Sequence, residues 1–294
     1  MDTSRQSMET RGTLSVRSYD DGVDRWEIVD GRPAPALRNR VAGYSSYWER
    51  TRSFTARREL AATSGVLLYA LDAPLEIIGA DSHAVIVKAG EAFVGGIANA
   101  TSLSRAMGPQ AGIHIFLPLA SLATVIGVPL AEIANRVVPL RDLVGDVAHD
   151  LGGTLCEAKS AEERFTLLDD FLVDRFSHGT QHNPTVVWAM HQLKHSAKAI
   201  TTKLAREIGW SRKHFIQRFR VATGFAPDQF RRLCRFERFV KELTAAPQES
   251  LAAMAAQTGY VDQAHLTHDV REFSDMTPGE LRARLLPAAG GVRD

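Results

Sequence analysis

The sequence predicts an α+β protein in two parts. The N-terminal part is mainly β, a barrel or sandwich with added helices, and the C-terminal part is all-α with a double helix-turn-helix. Three observations carry this. The chain has 294 residues, more than one domain commonly holds. Short apolar runs punctuated by turn residues fill residues 60–117, and everything after Thr185 has helical periodicity and contains an internal repeat.

Taken in order, residues 1–36 are rich in Arg, Asp, Gly and Pro and read as a loosely ordered lead-in. GVLLYAL, LEIIG, AVIVKAG, AFVGGIA and GIHIFL then have the length and the Val, Ile and aromatic content of β-strands. LASLATVIG and PLAEIANRVV read as helical, with Pro129 suited to a first turn. AEERFTLLDDFLVDRF, 161–176, places Phe165, Leu168, Phe171, Leu172 and Phe176 in one stripe, which packs on its own domain or on a second subunit. HGTQHNP, 178–184, is polar with a helix-breaking end. It divides a sensor or dimerisation domain, 37–182, from a helical domain, 183–294.

Within the second part, TVVWAMHQLKH, TKLAREIG and SRKHFIQRFRVATG read as three helices, the third closed by a glycine cap. FRRLCRFERFVKEL follows as a long amphipathic helix, with Phe230, Leu233, Phe236, Val240 and Leu243 on one face. LAAMAAQTG, DQAHLTHDVREF and PGELRARL complete the chain.

Composition narrows the function classes. The hydrophobic (45%) and charged (23%) fractions are those of an ordinary globular protein, and no run of about 18 apolar residues occurs. The opening MDTSRQSMETRG lacks the apolar core of a signal peptide, so a cytoplasmic protein without a membrane partner is expected. Cys156 and Cys234 form no CxxC and read as buried or idle thiols. The net charge of +1 hides an asymmetry. Residues 183–246 carry 13 basic against 4 acidic side chains, an excess suited to a phosphate surface.

The repeat is the decisive feature. LAREIGW (204–210) matches MAAQTGY (254–260) at an offset of 50, and SRKHFIQRFRVATGFAP (211–227) matches DQAHLTHDVREFSDMTP (262–278) at 51. Each copy is a short helix, a Gly-aromatic turn, an N-capping Ser211 or Asp262, a second helix and a Pro-bounded loop. Projected at about 100° per residue, Phe215, Phe219 and Ala222 share one side of the first copy, and Leu266, Val270 and Phe273 one side of the second. Opposite them lie Arg212, Lys213, Ile216, Gln217 and Arg220, and Gln263, Ala264, Thr267, His268 and Arg271, with no acid on either face. Such groups read base edges in a major groove or grip phosphates. Asp269, Glu272 and His265 project to a flank and read as surface charge. Two such helices joined by a rigid linker over 228–243 can enter successive major grooves, about 34 Å apart.

GYVDQAHLTHDVREFSDMTPGELR resembles the signature of AraC/XylS-type transcription regulators, and GWSRKHFIQRFRVATGFAPDQFRR resembles the first half of the same unit. The resemblance covers residues 185–286 and implies a seven-helix, two-headed DNA-binding domain. Val270 stands where the family usually has Phe, Asp275 where it usually has Gly, and Thr258 where it has a more apolar residue. The family's base-contact positions carry over to Arg212, Lys213, Ile216 and Gln217 in the first head and to Gln263, Ala264 and Thr267 in the second. Ser211, Arg220, His268 and Arg271 complete the expected DNA-facing set. GIHIFLPLASLATVIGVPLAEIANRVVPLRDLVG resembles the sensor region of a subset of these regulators, which implies effector binding or dimerisation without choosing between them.

The competing readings are weaker. His191/His195 and His265/His268 have spacings that place two imidazoles together, but HExxH and a third ligand are missing, so no metal site is expected. His83 and His114 lack the clustered His and Glu of a metal-binding barrel. Gly95 and Gly96 mark a bend or bulge, since no Lys-Ser/Thr follows to make a phosphate loop, and Ser102 and Ser104 lack a nucleophile context. A repair enzyme with a DNA-binding tail would need an activated cysteine cluster. The expectation is a DNA-binding regulator, activator or repressor, without catalytic residues or a cofactor. Double-stranded DNA is its partner, and RNA polymerase, a small-molecule effector and a second copy of the chain are further candidates.

Overall fold

In a computed structural model of the chain, residues 5–11, 14–53, 56–179, 183–196, 200–285 and 291–293 are described. The strands are β1 (Arg5–Arg11), β2 (Leu14–Asp20), β3 (Arg25–Gly31), β4 (Gly43–Arg50), β5 (Ala56–Glu59), β6 (Val66–Ala70), β7 (Leu75–Ile78), β8 (Ala84–Val87), β9 (Ala92–Gly95), β10 (Ser102–Ala106), β11 (Gln110–Phe116), β12 (Val137–Pro139) and β13 (Val292–Arg293). They form two antiparallel sheets, ordered β1-β2-β3-β4-β11-β6-β9-β12 and β13-β5-β10-β7-β8. No helix among the described residues is long and apolar enough to cross a membrane.

The unbroken apolar run VLLYA of β6 has a direct explanation in its two covered faces. Leu68 and Ala70 meet Ile77 and Val87 of the small sheet, while Leu67 and Tyr69 face the helices with Val94, Ile113 and Ile115. The helices on that side are α1 (Leu119–Ile126), α2 (Leu140–Val144), α3 (Val147–Glu157) and α4 (Ala161–His178). Ser160 caps α4 by accepting from the Glu163 amide at 3.1 Å. The α4 stripe is spent on its own half of the chain. Phe165 stacks on Tyr44 at 5.3 Å, and the Tyr44 hydroxyl donates to Asp169 at 2.6 Å.

Two sequence expectations are corrected. The lead-in is not loose: residues 5–31 supply three strands, although residues 1–4 and 12–13 lie outside the described residues. An Asx turn makes the β2–β3 hairpin, with Asp21 Oδ1 accepting from the Val23 and Asp24 amides at 2.9 and 2.7 Å. Tyr19 then stacks on its cross-strand partner Trp26 at 5.8 Å. PLAEIANRVV is not an α-helix. A single 3-10 turn, Leu130–Ile133, is followed by Asn135, whose left-handed φ of 62° turns the chain into edge strand β12, Val137–Pro139. At Gly96 a Cβ would come within 2.0 Å of the Ile133 carbonyl oxygen, so the glycine permits a close approach of that turn.

The remaining helices are α5 (Pro184–His195), α6 (Thr201–Glu207), α7 (Arg212–Thr223), α8 (Pro227–Ala245), α9 (Leu251–Thr258), α10 (Gln263–Ser274) and α11 (Pro278–Arg284). The expected divide at 178–184 falls between α4 and α5, with residues 180–182 outside the described ones. A β-rich N-terminal region is thus followed by a helical C-terminal region. Buried side chains run continuously from one into the other.

Candidate nucleic-acid interface

Each repeat folds as a short helix followed by a capped second helix. In the first head α6 packs on α7, and the Ser211 Oγ accepts from the His214 amide at 3.2 Å. In the second head α9 packs on α10, and Asp262 accepts from the His265 amide at 2.8 Å. Both caps satisfy amides that a helix start leaves open. Phe215 and Phe219 are fully buried on the inner side of α7, as are Leu266, Val270 and Phe273 on α10.

The outer faces match the helical projection. Arg212, Lys213, Gln217 and Arg220 are exposed and Ile216 is half-buried. Gln263, Ala264, His268 and Arg271 are exposed and Thr267 is half-buried. On each helix these positions share one side, as residues four apart do. Three of the side chains are partly engaged. The Ser211 oxygen is occupied in capping, Thr267 donates to the Gln263 carbonyl at 2.8 Å, and His268 Nε2 lies 3.5 Å from Glu272 Oε2. The faces are also not wholly clear of acids, because Arg212 lies 3.8 Å from Asp228 of α8.

The flank of α10 is the largest departure from the sequence reading. Asp269 is fully buried and is not surface charge. Its Oδ1 accepts from Arg232 Nη2 at 2.7 Å and its Oδ2 from Arg235 Nη2 at 2.8 Å. Arg232 also reaches Glu272 at 2.5 Å, and Arg235 donates to His265 Nε2 at 2.9 Å while lying over the Tyr260 ring at 4.6 Å. An arginine can only donate, so that imidazole nitrogen is the accepting one. Burial works against the Arg232 charge, but Glu272 and Asp269 more than offset it and hold the guanidinium protonated. The second head is therefore clamped to α8 by charge. The first is attached by packing, with Phe219 edge-on to Phe230 at 5.5 Å, and by the Thr201 hydroxyl, which donates to Asp228 of α8 at 2.7 Å.

His268, Asp269 and Glu272 also bring ligand atoms within 4.8 Å of one another. A cation there would compete with Arg232 and Arg235 for oxygens those residues already hold. The carboxylates of the cluster are held in an ion-pair network with Arg232 and Arg235. Sequence reasoning missed it because its partners lie 34 to 40 residues apart on two helices. It also means that two of the arginines in the basic excess of 183–246 are neutralised internally. Burial pushes the Cys234 thiol, on the same linker, up to about 12, which leaves it unreactive.

Residues 204–284 match the family model of a helix-turn-helix domain of the AraC type. No curated protein matches the chain in sequence. Among solved structures, the chain is similar to ToxT from Vibrio cholerae O395 bound to (E)-4-(8-methylnaphthalen-1-yl)but-3-enoic acid. The identity is 9%, over 82% of this chain and 98% of that one, with a TM-score of 0.50. It also matches the DNA-binding domain of AdpA in complex with a target DNA (27% identity, 34% and 87% covered, TM-score 0.30). A third match is the AraC-like transcriptional activator CuxR (15% identity, 77% and 84% covered, TM-score 0.27). The likeness to ToxT extends the shared architecture, a β-rich region followed by a helical one, over most of the chain.

Proposed function

We propose that this chain, which carries an AraC-type helix-turn-helix domain at its C-terminus, is a sequence-specific transcription regulator that reads a bipartite operator with two heads. The observation that carries the reading is the repeated helix-turn-helix with an outer face on each second helix that is mostly basic on α7 and mostly polar on α10. Arg212, Lys213, Gln217 and Arg220, with Ile216 available for a thymine methyl, form the stronger reading head. Ser211 contributes at the helix N-terminus, where a phosphate fits the helix dipole. Gln263, Ala264, Thr267, His268 and Arg271 form the second. RNA polymerase is a natural partner for such a regulator, and its work places it in the cytoplasm with the DNA.

The two-headed reading depends on α8. In Val240→Pro the new ring loses the Val240 amide bond and clashes at the Phe236 carbonyl, costing about 3 kcal/mol. The Phe236 ring packs on Phe273 of the second head at 5.5 Å. Specific binding in a gel shift is expected to collapse while helical circular dichroism is largely kept. Normal specific binding by this variant would refute the reading.

We further propose that a small-molecule effector acts on residues 37–182. The support is the ToxT likeness, since that protein carries a small carboxylic acid in its structure. The alternative is an effector-independent regulator whose N-terminal region only dimerises the chain. A thermal-shift screen separates the two, because a ligand bound by the folded state raises its melting temperature. A hit that fails to alter operator affinity would favour the dimerisation reading.

A further inference from the structure

The structure places the same corner of each head against the N-terminal region. That corner is the left-handed residue that ends the recognition helix, Gly224 on α7 and Asp275 on α10, which are equivalent at the repeat offset of 51. Gly224 has φ +83°, and a Cβ there would lie 2.6 Å from the Ala134 Cβ and 3.4 Å from the Ala131 Cα, at the 3-10 turn before β12. Asp275 has φ 58°, where glycine is the residue of least strain. Its carboxylate instead reaches Arg58 of β5 at 3.8 Å and accepts from Thr101 beside β10 at 3.4 Å. A third contact falls between them, on the linker. The buried Thr63 donates its amide to Glu237 of α8 at 2.7 Å, and its hydroxyl bonds the other carboxylate oxygen. The chain end adds β13, which pairs with β5 through Val292 and Arg293.

We propose that the N-terminal region is a brace that fixes the pitch of the two heads, and that Asp275 and Ala134 are its positioning residues. The brace sets which half-site spacing the protein accepts. This rests on the two-headed reading above, but the brace itself is a property of the protein without DNA. It also accounts for an aspartate where glycine would relieve backbone strain: the carboxylate contributes a contact across the two regions that glycine cannot make. The contacts grip the C-terminal ends of both recognition helices and leave the N-terminal ends, with Arg212, Lys213, Gln263 and Ala264, turned to solvent.

The test uses the full chain with nitroxide labels at the repeat-equivalent, exposed positions Glu207→Cys and Gln257→Cys. Cys156→Ser removes the exposed thiol, and the buried Cys234 escapes labelling. Pulsed electron spin resonance then reads the distance between heads. The braced chain is expected to give one narrow distance. Asp275→Gly suits the left-handed position and keeps the fold, and it should broaden the distribution. Adding Ala134→Glu, which wedges the first corner, should abolish the narrow peak. An unchanged narrow peak in the double variant would overturn the brace, whether or not the protein reads a bipartite site. On duplexes selected from a randomised pool, the unmodified protein should enrich one half-site spacing and the double variant several. The same single spacing in both would overturn the proposed role in spacing.

Discussion

Asp269→Ala is expected to destabilise the C-terminal region by about 3–5 kcal/mol, measured as the loss of helical signal in urea. The carboxylate is fully buried, and its removal strands Arg235, whose side chain is 8% exposed, and half-strands Arg232. An uncompensated buried guanidinium is among the most damaging defects a core can carry. Replacing the pair together, as Arg235→Met with Asp269→Leu, should recover most of the loss, because apolar side chains of similar volume need no partner. A loss below about 1 kcal/mol for the single variant would mean that the network is solvated and does not clamp the head.

The second large effect concerns DNA. Lys213→Ala with Gln217→Ala is expected to weaken specific binding by about 2–5 kcal/mol, the range for losing two base- or phosphate-directed side chains. Gln263→Ala with Thr267→Ala should cost less than about 1.4 kcal/mol, or tenfold. Lys213 and Gln217 are exposed, whereas Thr267 is half-buried with its hydroxyl donated to its own helix, and neighbouring Ala264 offers no hydrogen bond. All four lie on the outer side of their helices, so melting temperatures should barely move. The reverse ranking in a fluorescence-anisotropy titration would assign the dominant contacts to the second head.

The heads were legible in the sequence because helical periodicity, N-caps and a 51-residue offset are local signals. Phe215, Phe219, Leu266, Val270 and Phe273 project to one side by spacing alone and are buried there. The Asp269 network was not legible. A projection of α10 places Asp269 on a flank, and only the crossing of α8 over that flank decides whether the flank is wet or dry. Strands with two covered faces, such as β6, announce themselves by unbroken apolar runs. Others such as β5, ARRE, and β10, SLSRA, are mostly polar, and no apolar run marks them. β2 and β3 were hidden by the Asp-rich turn between them, whose residues also suit disorder. The Asp275 contact with Arg58 links positions 217 apart in the chain, beyond any sequence periodicity.

Two unequal heads on one chain are proposed to read one bipartite site. Capture of genomic fragments by the purified full chain, followed by sequencing, tests this most directly. Enrichment of two half-sites about one helical turn, roughly 10 base pairs, apart is expected, with the stronger half assigned to the first head because Lys213→Ala erases it. Enrichment of a single uninterrupted half-site, or binding without sequence preference, would contradict the two-headed reading.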